Sequence, residues 1–128
     1  ILPGQTQQHL EPMIRAVLGS DVDYDIEWLE GKGGTRSPLD TPLWEAVESF
    51  VSEIEPGARA VPICVAGFTD SHWLRDAFGT VAYGFFPLRT MPTDVAASLI
   101  HSANERIPVD DLELGVDWLR HAARTVCA

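Results

Sequence analysis

The most constraining feature of the sequence is a strand pattern with no partner near it. Between Val22 and Trp28, apolar and acidic residues alternate strictly, which predicts a strand with one buried face and one solvated acidic face. Only one helix pattern precedes this strand before a glycine-rich segment begins. One helix on one strand cannot close a core, because a stable sheet needs roughly three strands. This N-terminal part is therefore expected to belong to something larger.

The helix pattern itself follows a short strand end and turn at residues 2–6. Its apolar residues recur at helical spacing: Leu10, Met13, Ile14, Val17 and Leu18. Pro12 falls inside this pattern, where a proline ring costs ~3 kcal/mol. The helix is therefore expected to be kinked or to begin near Glu11, and Gly19 suits its C-terminus.

The glycine-rich segment from Gly31 to Pro38 is interpreted as a hinge. It superficially resembles a phosphate-binding loop. However, it lacks the Gly-Lys-Ser/Thr ending, and it leads into Pro38 and Pro42 rather than directly into a helix.

Beyond this hinge the pattern predicts an α/β arrangement. Thr41-Pro42 starts a helix that Pro56-Gly57 stops, and residues 69–71 cap a short helix that ends at Gly79. The apolar runs 60–65 and 81–86 lack alternation, which favours strands covered on both faces. A final helix after Pro108 carries an apolar stripe: Leu112, Val116, Leu119, Ala123 and Val126.

Composition excludes several classes of function. The chain has 128 residues, with 19 acidic and 9 basic side chains and a formal net charge of −10. This acidity argues against nucleic-acid and anionic-membrane surfaces, since both need clustered Lys and Arg. No apolar run approaches the ~20 residues of a membrane span. Because the first residue is Ile1, the numbering is expected to begin inside a longer protein.

Few residues have an obvious chemical role. No His-x-His, His-Glu-x-x-His or Cys-x-x-Cys spacing pre-assembles a metal site. His9 and His121 are expected at the surface. Cys64 and Cys127 are interpreted as packing residues, because neither has the cationic surroundings that activate a thiolate, so a cysteine-dependent enzyme is set aside.

Two segments are better candidates for a site. Gly67 to Ser71 joins a predicted strand to a helix, whose N-terminal N–H groups can receive a carboxylate or phosphate; an ordinary helix cap is the alternative. Residues 100–106 place His101 and several hydrogen-bonding groups in a connecting segment, where a neutral imidazole can ligate zinc.

These same residues, in this order, resemble the zinc-dependent metallopeptidase family that includes acetylornithine deacetylase, succinyl-diaminopimelate desuccinylase, aminoacylase and carboxypeptidase G. The resemblance runs from the Leu2-Pro3-Gly4-Gln5-Thr6 segment to the last helix. Its most specific elements are residues 67–75, 83–88 and 101–106, the last of which is similar to the family's His-x-x-Asn-Glu signature.

The resemblance implies a hydrolase of peptide or N-acyl amide bonds next to a carboxylate-bearing group. It implies two zinc ions, with cobalt or manganese as alternatives, and a small peptide or N-acyl amino acid as substrate. Residues 1–31 resemble the end of a ferredoxin-like lid domain, through which members often dimerise, and residues 32–128 resemble the C-terminal part of the catalytic domain.

Site residues follow from the same resemblance. His101 matches the family's final metal ligand, while Gly67, Phe68, Thr69 and Asn104 match substrate-binding positions. The general base and the other ligands are expected upstream, so no catalytic residue is assigned within the chain. The isolated chain is therefore expected to be inactive and to hold no tightly bound metal.

One departure from the family pattern affects the substrate. Family members have Gly-Gly-Thr where this chain has Gly67-Phe68-Thr69, and a glycine lets the backbone approach a substrate carboxylate in a way that Phe68 does not. An alternative interpretation of the whole chain is a non-catalytic module that dimerises or binds a partner through its acidic strand.

Overall fold

The computed structural model describes residues 1–29, 33–65, 67 and 69–127. Nearly half of these residues lie in five helices. They are α1 (Gln7–Leu18), α2 (Pro42–Ile54), α3 (Ser71–Phe78), α4 (Thr93–Leu99) and α5 (Val109–Val126). The described chain forms two compact units. One comprises Ile1–Pro38 with Pro62–Ala82, and the other comprises Leu39–Val61 with the chain from Tyr83 onward.

The predicted sheet is not confirmed. Within the described residues, pairing between extended segments is limited to one isolated parallel bridge between Pro3 and Gly34. Segments 22–28, 60–65 and 81–86 run without regular strand structure. Ile63, in the second of them, is 82% exposed. Alternation and apolar runs describe which faces a strand would bury, but a strand forms only when a neighbour supplies the hydrogen-bonded ladder.

The unit containing α1 and α3 is held by turns and by hydrogen bonds from side chains to side chains and backbone. Gly4, at φ 87°, makes a turn in which the Gln5 N–H donates to the Leu2 carbonyl at 3.0 Å. Arg75 of α3 donates through Nε to Thr35 Oγ1 at 3.0 Å and through Nη1 to the Ala82 carbonyl at 2.8 Å. One arginine thereby ties the distant Thr35 and the chain just beyond α3 to this helix.

Helix α1 starts at Gln7 and contains Pro12, so of the two predicted alternatives the start near Glu11 is wrong. The helix ends before Gly19, as expected. Its first turn is stabilised by His9, whose Nδ1 accepts the Thr6 backbone N–H at 3.1 Å and lies 2.8 Å from Thr6 Oγ1. These bonds satisfy donors that a helix start leaves open. His9 is exposed, as predicted.

The other unit has the only buried apolar cluster found in the described part of the chain. It consists of Ala46, Val47 and Phe50 of α2 with Trp118 of α5. The rings of Phe50 and Trp118 lie 5.5 Å apart, and Phe85 meets Trp118 edge-on at 4.9 Å. The predicted starts of two helices are confirmed: α2 begins at Pro42 and α5 begins directly after Pro108. Helix α4 was not anticipated by the sequence pattern.

Helix α5 packs through a different face from the one its apolar spacing suggests. Leu119, in the apolar stripe, is 62% exposed, whereas the adjacent Trp118 is 5% exposed. Gly115 also lies on the packed face, where any added Cβ would collide with the Phe86 ring. The spacing alone cannot decide between two faces when both carry apolar residues.

Candidate functional site

His101 lies in a tight turn directly after α4. Ile100 has φ −56° and ψ 124°, His101 has φ 58°, and the Ser102 N–H donates to the Leu99 carbonyl at 3.0 Å. These values define a type II turn with His101 at its third position, where glycine is normally required. Among the described residues, His101 is the one non-glycine residue at positive φ. Such backbone strain is concentrated at functional positions in proteins.

The rest of this loop surrounds the His101 backbone with polar groups. The His101 N–H donates to Glu105 Oε2 at 3.3 Å, and the Glu105 N–H donates to the Ser102 carbonyl at 3.2 Å. Arg106 Nη1 donates to the Asn104 carbonyl at 3.0 Å. The side chains of His101 and Asn104 are exposed, and within the described residues no hydrogen bond engages the His101 imidazole. Its nitrogen lone pair is accessible to a ligand.

The second predicted site segment belongs to the other unit. Gly67 and Thr69 are exposed, and α3 begins at Ser71 after Asp70. The His72 N–H donates to the Thr69 carbonyl at 3.0 Å, so Thr69 closes the turn into the helix. Phe68 lies outside the described residues. Gly67 and Thr69 therefore belong to one unit, whereas His101 and Asn104 belong to the other.

A complete metal site is not found in the part of the chain that the structure describes. No three His, Cys, Asp or Glu side chains there lie close enough together to hold an ion. No helix of these residues has the length and apolarity needed to span a membrane. A zinc site needs three or four protein ligands. His101 can supply one of them.

Asp111 is a structurally important residue whose burial the sequence pattern did not indicate. It lies in the first turn of α5, where an acidic group suits the helix dipole, and it is fully buried. Its Oδ1 accepts the N–H groups of Arg89 and Thr90 at 2.9 and 2.8 Å, and its Oδ2 accepts that of Met91 at 2.9 Å. Asp110 and Asp111 are adjacent residues of the same type, so only the position of each around the helix determines which of them is buried.

Those hydrogen bonds control the ionisation of Asp111. Burial alone would raise the pKa of its carboxyl, because the charged form loses its water. The bonds from Thr90, Arg89 and Met91 together outweigh burial and hold the pKa below its ordinary value. The charged carboxylate thus fixes residues 89–91 against the start of α5.

A serine–histidine–glutamate alignment joins α2 to α5. Ser49 Oγ lies 2.8 Å from His121 Nε2, and His121 Nδ1 lies 3.8 Å from Glu53 Oε2. Nucleophilic catalysis needs a hydroxyl proton directed at the base. The Ser49 hydroxyl has a competing acceptor in the Ala46 carbonyl of its own helix, at 3.1 Å. The alignment is therefore a bridge between helices, and His121 is half-buried rather than at the open surface as expected.

Both cysteines depart from their predicted packing role. Cys64 and Cys127 are free and exposed. Cys64 was placed in the interior because its apolar run suited a covered strand, and that strand is not formed. Exposure alone does not activate a thiol, which needs cationic neighbours or a helix N-terminus.

Comparison with known proteins identifies the relationships of the chain. It matches the profile of Peptidase family M20/M25/M40 over residues 2–125. It is 31% identical over 117 residues to the succinyl-diaminopimelate desuccinylase of Magnetococcus marinus, an alignment that covers 85% of this chain and 26% of that enzyme. The chain thus spans about a quarter of the length of this curated relative. No solved structure matches it significantly. With nearly its whole length covered by the profile, the chain belongs to Peptidase family M20/M25/M40.

Proposed function

We propose that this chain is the C-terminal part of a two-zinc hydrolase that cleaves a peptide or N-acyl amide bond beside a carboxylate-bearing residue. Family membership and the relative named a desuccinylase support a metal-dependent hydrolase. The observation that carries the proposal is the exposed, unengaged imidazole of His101 in a left-handed turn. Residues held in such strained conformations cluster at active sites and ligand-binding sites.

The residues present can supply one of the ligands of a zinc centre. A neutral imidazole is a common protein ligand of zinc, and His101 offers one without a competing hydrogen bond from the described residues. When bound, zinc would polarise the scissile carbonyl and lower the pKa of water, so that a nucleophile would be available near neutral pH. The remaining ligands and the general base are proposed to come from residues outside this chain.

The other site residues are proposed to hold the substrate. The Asn104 amide can both donate to and accept from a substrate amide. The backbone N–H groups of Gly67 and Thr69 are proposed to receive the substrate carboxylate, and Phe68 is proposed to affect which substrates are accepted. The proposed substrates are small peptides or N-acyl amino acids. Residues 1–31 are proposed to end the lid domain, and residues 32–128 to belong to the catalytic domain.

An exchange of segments tests this proposal. The chain replaces the segment that it matches in the Magnetococcus marinus enzyme, and hydrolysis of N-succinyl and other N-acyl amino acids is measured. We expect activity that falls at least ~100-fold in His101→Ala, while His9→Gln, which changes an exposed imidazole in α1, stays near the parent. Full activity of the His101→Ala hybrid would exclude the proposed role. Thermal unfolding of each hybrid controls for folding.

A second candidate function rests on residues 22–28. Tyr24, Ile26 and Trp28 are half-buried while the acidic residues between them are exposed, and within the described residues this extended backbone has no strand partner. An unpaired extended edge readily pairs with another chain. We therefore propose homodimerisation through this segment. Analytical ultracentrifugation compares the mass of the parent chain with that of Asp25→Pro, which lacks a backbone N–H donor in this segment. We expect the parent to dimerise and the variant to do so more weakly. A monomer in both samples would contradict the proposal.

A further inference from the structure

We infer that Glu105 is the positioning residue that keeps His101 in its left-handed conformation and thereby aims the imidazole. The part of this inference that concerns metal binding rests on the proposed function. The structural part, that the Glu105 carboxylate sets the orientation of the Ile100–His101 peptide group, does not depend on it.

The turn geometry defines what has to be controlled. A type I and a type II turn share the same bond from the fourth N–H to the first carbonyl, here Ser102 to Leu99 at 3.0 Å. They differ by a flip of the central peptide, which here joins Ile100 to His101. The type I form would place His101 at negative φ, which a residue with a side chain prefers. Without another contact, the flip is therefore favoured.

Glu105 supplies that contact. The flip reverses the direction of the His101 N–H, and in the observed form this N–H donates to Glu105 Oε2 at 3.3 Å. A carboxylate acceptor makes a stronger bond than a neutral one. The turn that follows, in which the Glu105 N–H donates to the Ser102 carbonyl at 3.2 Å, brings the Glu105 side chain back over the His101 amide.

The consequence is a preorganised ligand. Because the backbone at His101 sets the direction of its Cα–Cβ bond, a flipped peptide would aim the imidazole elsewhere. Groups that orient a metal ligand typically affect metal affinity by ~10–100-fold. Glu105 acts through the backbone of His101 rather than through its ring, so it leaves both imidazole nitrogens available.

The structural part is tested by nuclear magnetic resonance on the 128-residue chain. In the parent, the Ile100 Hα to His101 amide cross-peak is strong and the Ile100 amide to His101 amide cross-peak is weak, as a type II turn requires. Glu105→Ala should reverse that order, Glu105→Gln should retain it, and Glu113→Ala serves as an exposed carboxylate control. A parental pattern in Glu105→Ala would overturn the inference.

The functional part is tested by zinc affinity in the exchanged hybrid enzyme. We expect Glu105→Ala to weaken zinc binding ~10-fold or more, with Glu105→Gln close to the parent and equal unfolding temperatures. If Glu105→Ala flips the turn but His101→Ala keeps all its zinc, the proposed metal role fails and the turn control stands. If His101→Ala loses zinc while Glu105→Ala changes neither turn nor affinity, this inference alone fails.

Discussion

The buried carboxylate of Asp111 accepts the backbone N–H of Thr90 at 2.8 Å. With the neighbouring bonds from Arg89 and Met91, this contact ties residues 89–91 to the start of α5. Residues 89–91 are thus held by a side chain rather than by a strand ladder. The stability of this unit is expected to depend on that one residue more than on any surface charge.

Replacing Asp111 tests this dependence. Asp111→Asn places an amide where a carboxylate accepted three N–H groups, so at least one donor loses its acceptor in the interior. We expect the thermal unfolding midpoint to fall by ~10 °C or more, measured by circular dichroism. Asp110→Asn, the exposed neighbour, should change it by no more than ~2 °C. Equal effects of the two variants would contradict the buried role.

The same carboxylate makes stability depend on pH. Its pKa is lowered in the folded state, so the unfolded chain takes up a proton first as pH falls, and the folded state then loses its advantage. The stability difference between the parent and Asp111→Asn should be constant from pH 7 to about 5 and shrink as pH falls through the ordinary Asp value of about 4. A difference that grows on acidification would contradict this sign.

Two adjacent residues of α5 distinguish its two faces. Trp118→Ala should cost ~3–5 kcal/mol of unfolding free energy, because it empties the cluster shared with Phe50. Leu119→Ala should cost less than ~1 kcal/mol, because the side chain is exposed. Urea unfolding measures both. A larger cost at Leu119 would show that its face is covered in solution.

The bridge between α2 and α5 predicts unequal couplings. A double-mutant cycle on Ser49→Ala and His121→Ala should give a coupling of ~1 kcal/mol, from the 2.8 Å hydrogen bond. The cycle on Glu53→Ala and His121→Ala should give less than ~0.5 kcal/mol, since the pair is 3.8 Å apart and Glu53 is largely exposed. A larger coupling energy for Glu53 and His121 than for Ser49 and His121 would show that the ion pair, and not the hydrogen bond, links the two helices.

The sequence predicted the helices better than it predicted their surroundings. Pro42, Gly79 and Pro108 fixed helix ends because their backbone restrictions act locally. Residues 60–65 have the composition of a covered strand, yet a strand depends on a neighbour that no local pattern specifies. Which face of α5 is buried likewise depends on its tertiary contacts and not on the local sequence.

The candidate site divides in the same way. The residues 101–106 identified the loop, because their resemblance to a family signature is carried by residue identities alone. The left-handed turn at His101 was not foreseen, since glycine or asparagine is the usual signal for positive φ. Nor was the bond from its amide to Glu105, which depends on the flipped peptide.

Zinc content tests the central claim, that His101 contributes one ligand to a metal centre completed outside this chain. It is measured after dialysis against trace zinc at neutral pH, for the 128-residue chain and for the hybrid with and without His101→Ala. The account predicts far less than one zinc per isolated chain, about two per hybrid, and a loss of about one in His101→Ala. Two zinc ions retained in His101→Ala, or one bound tightly by the isolated chain, would contradict it.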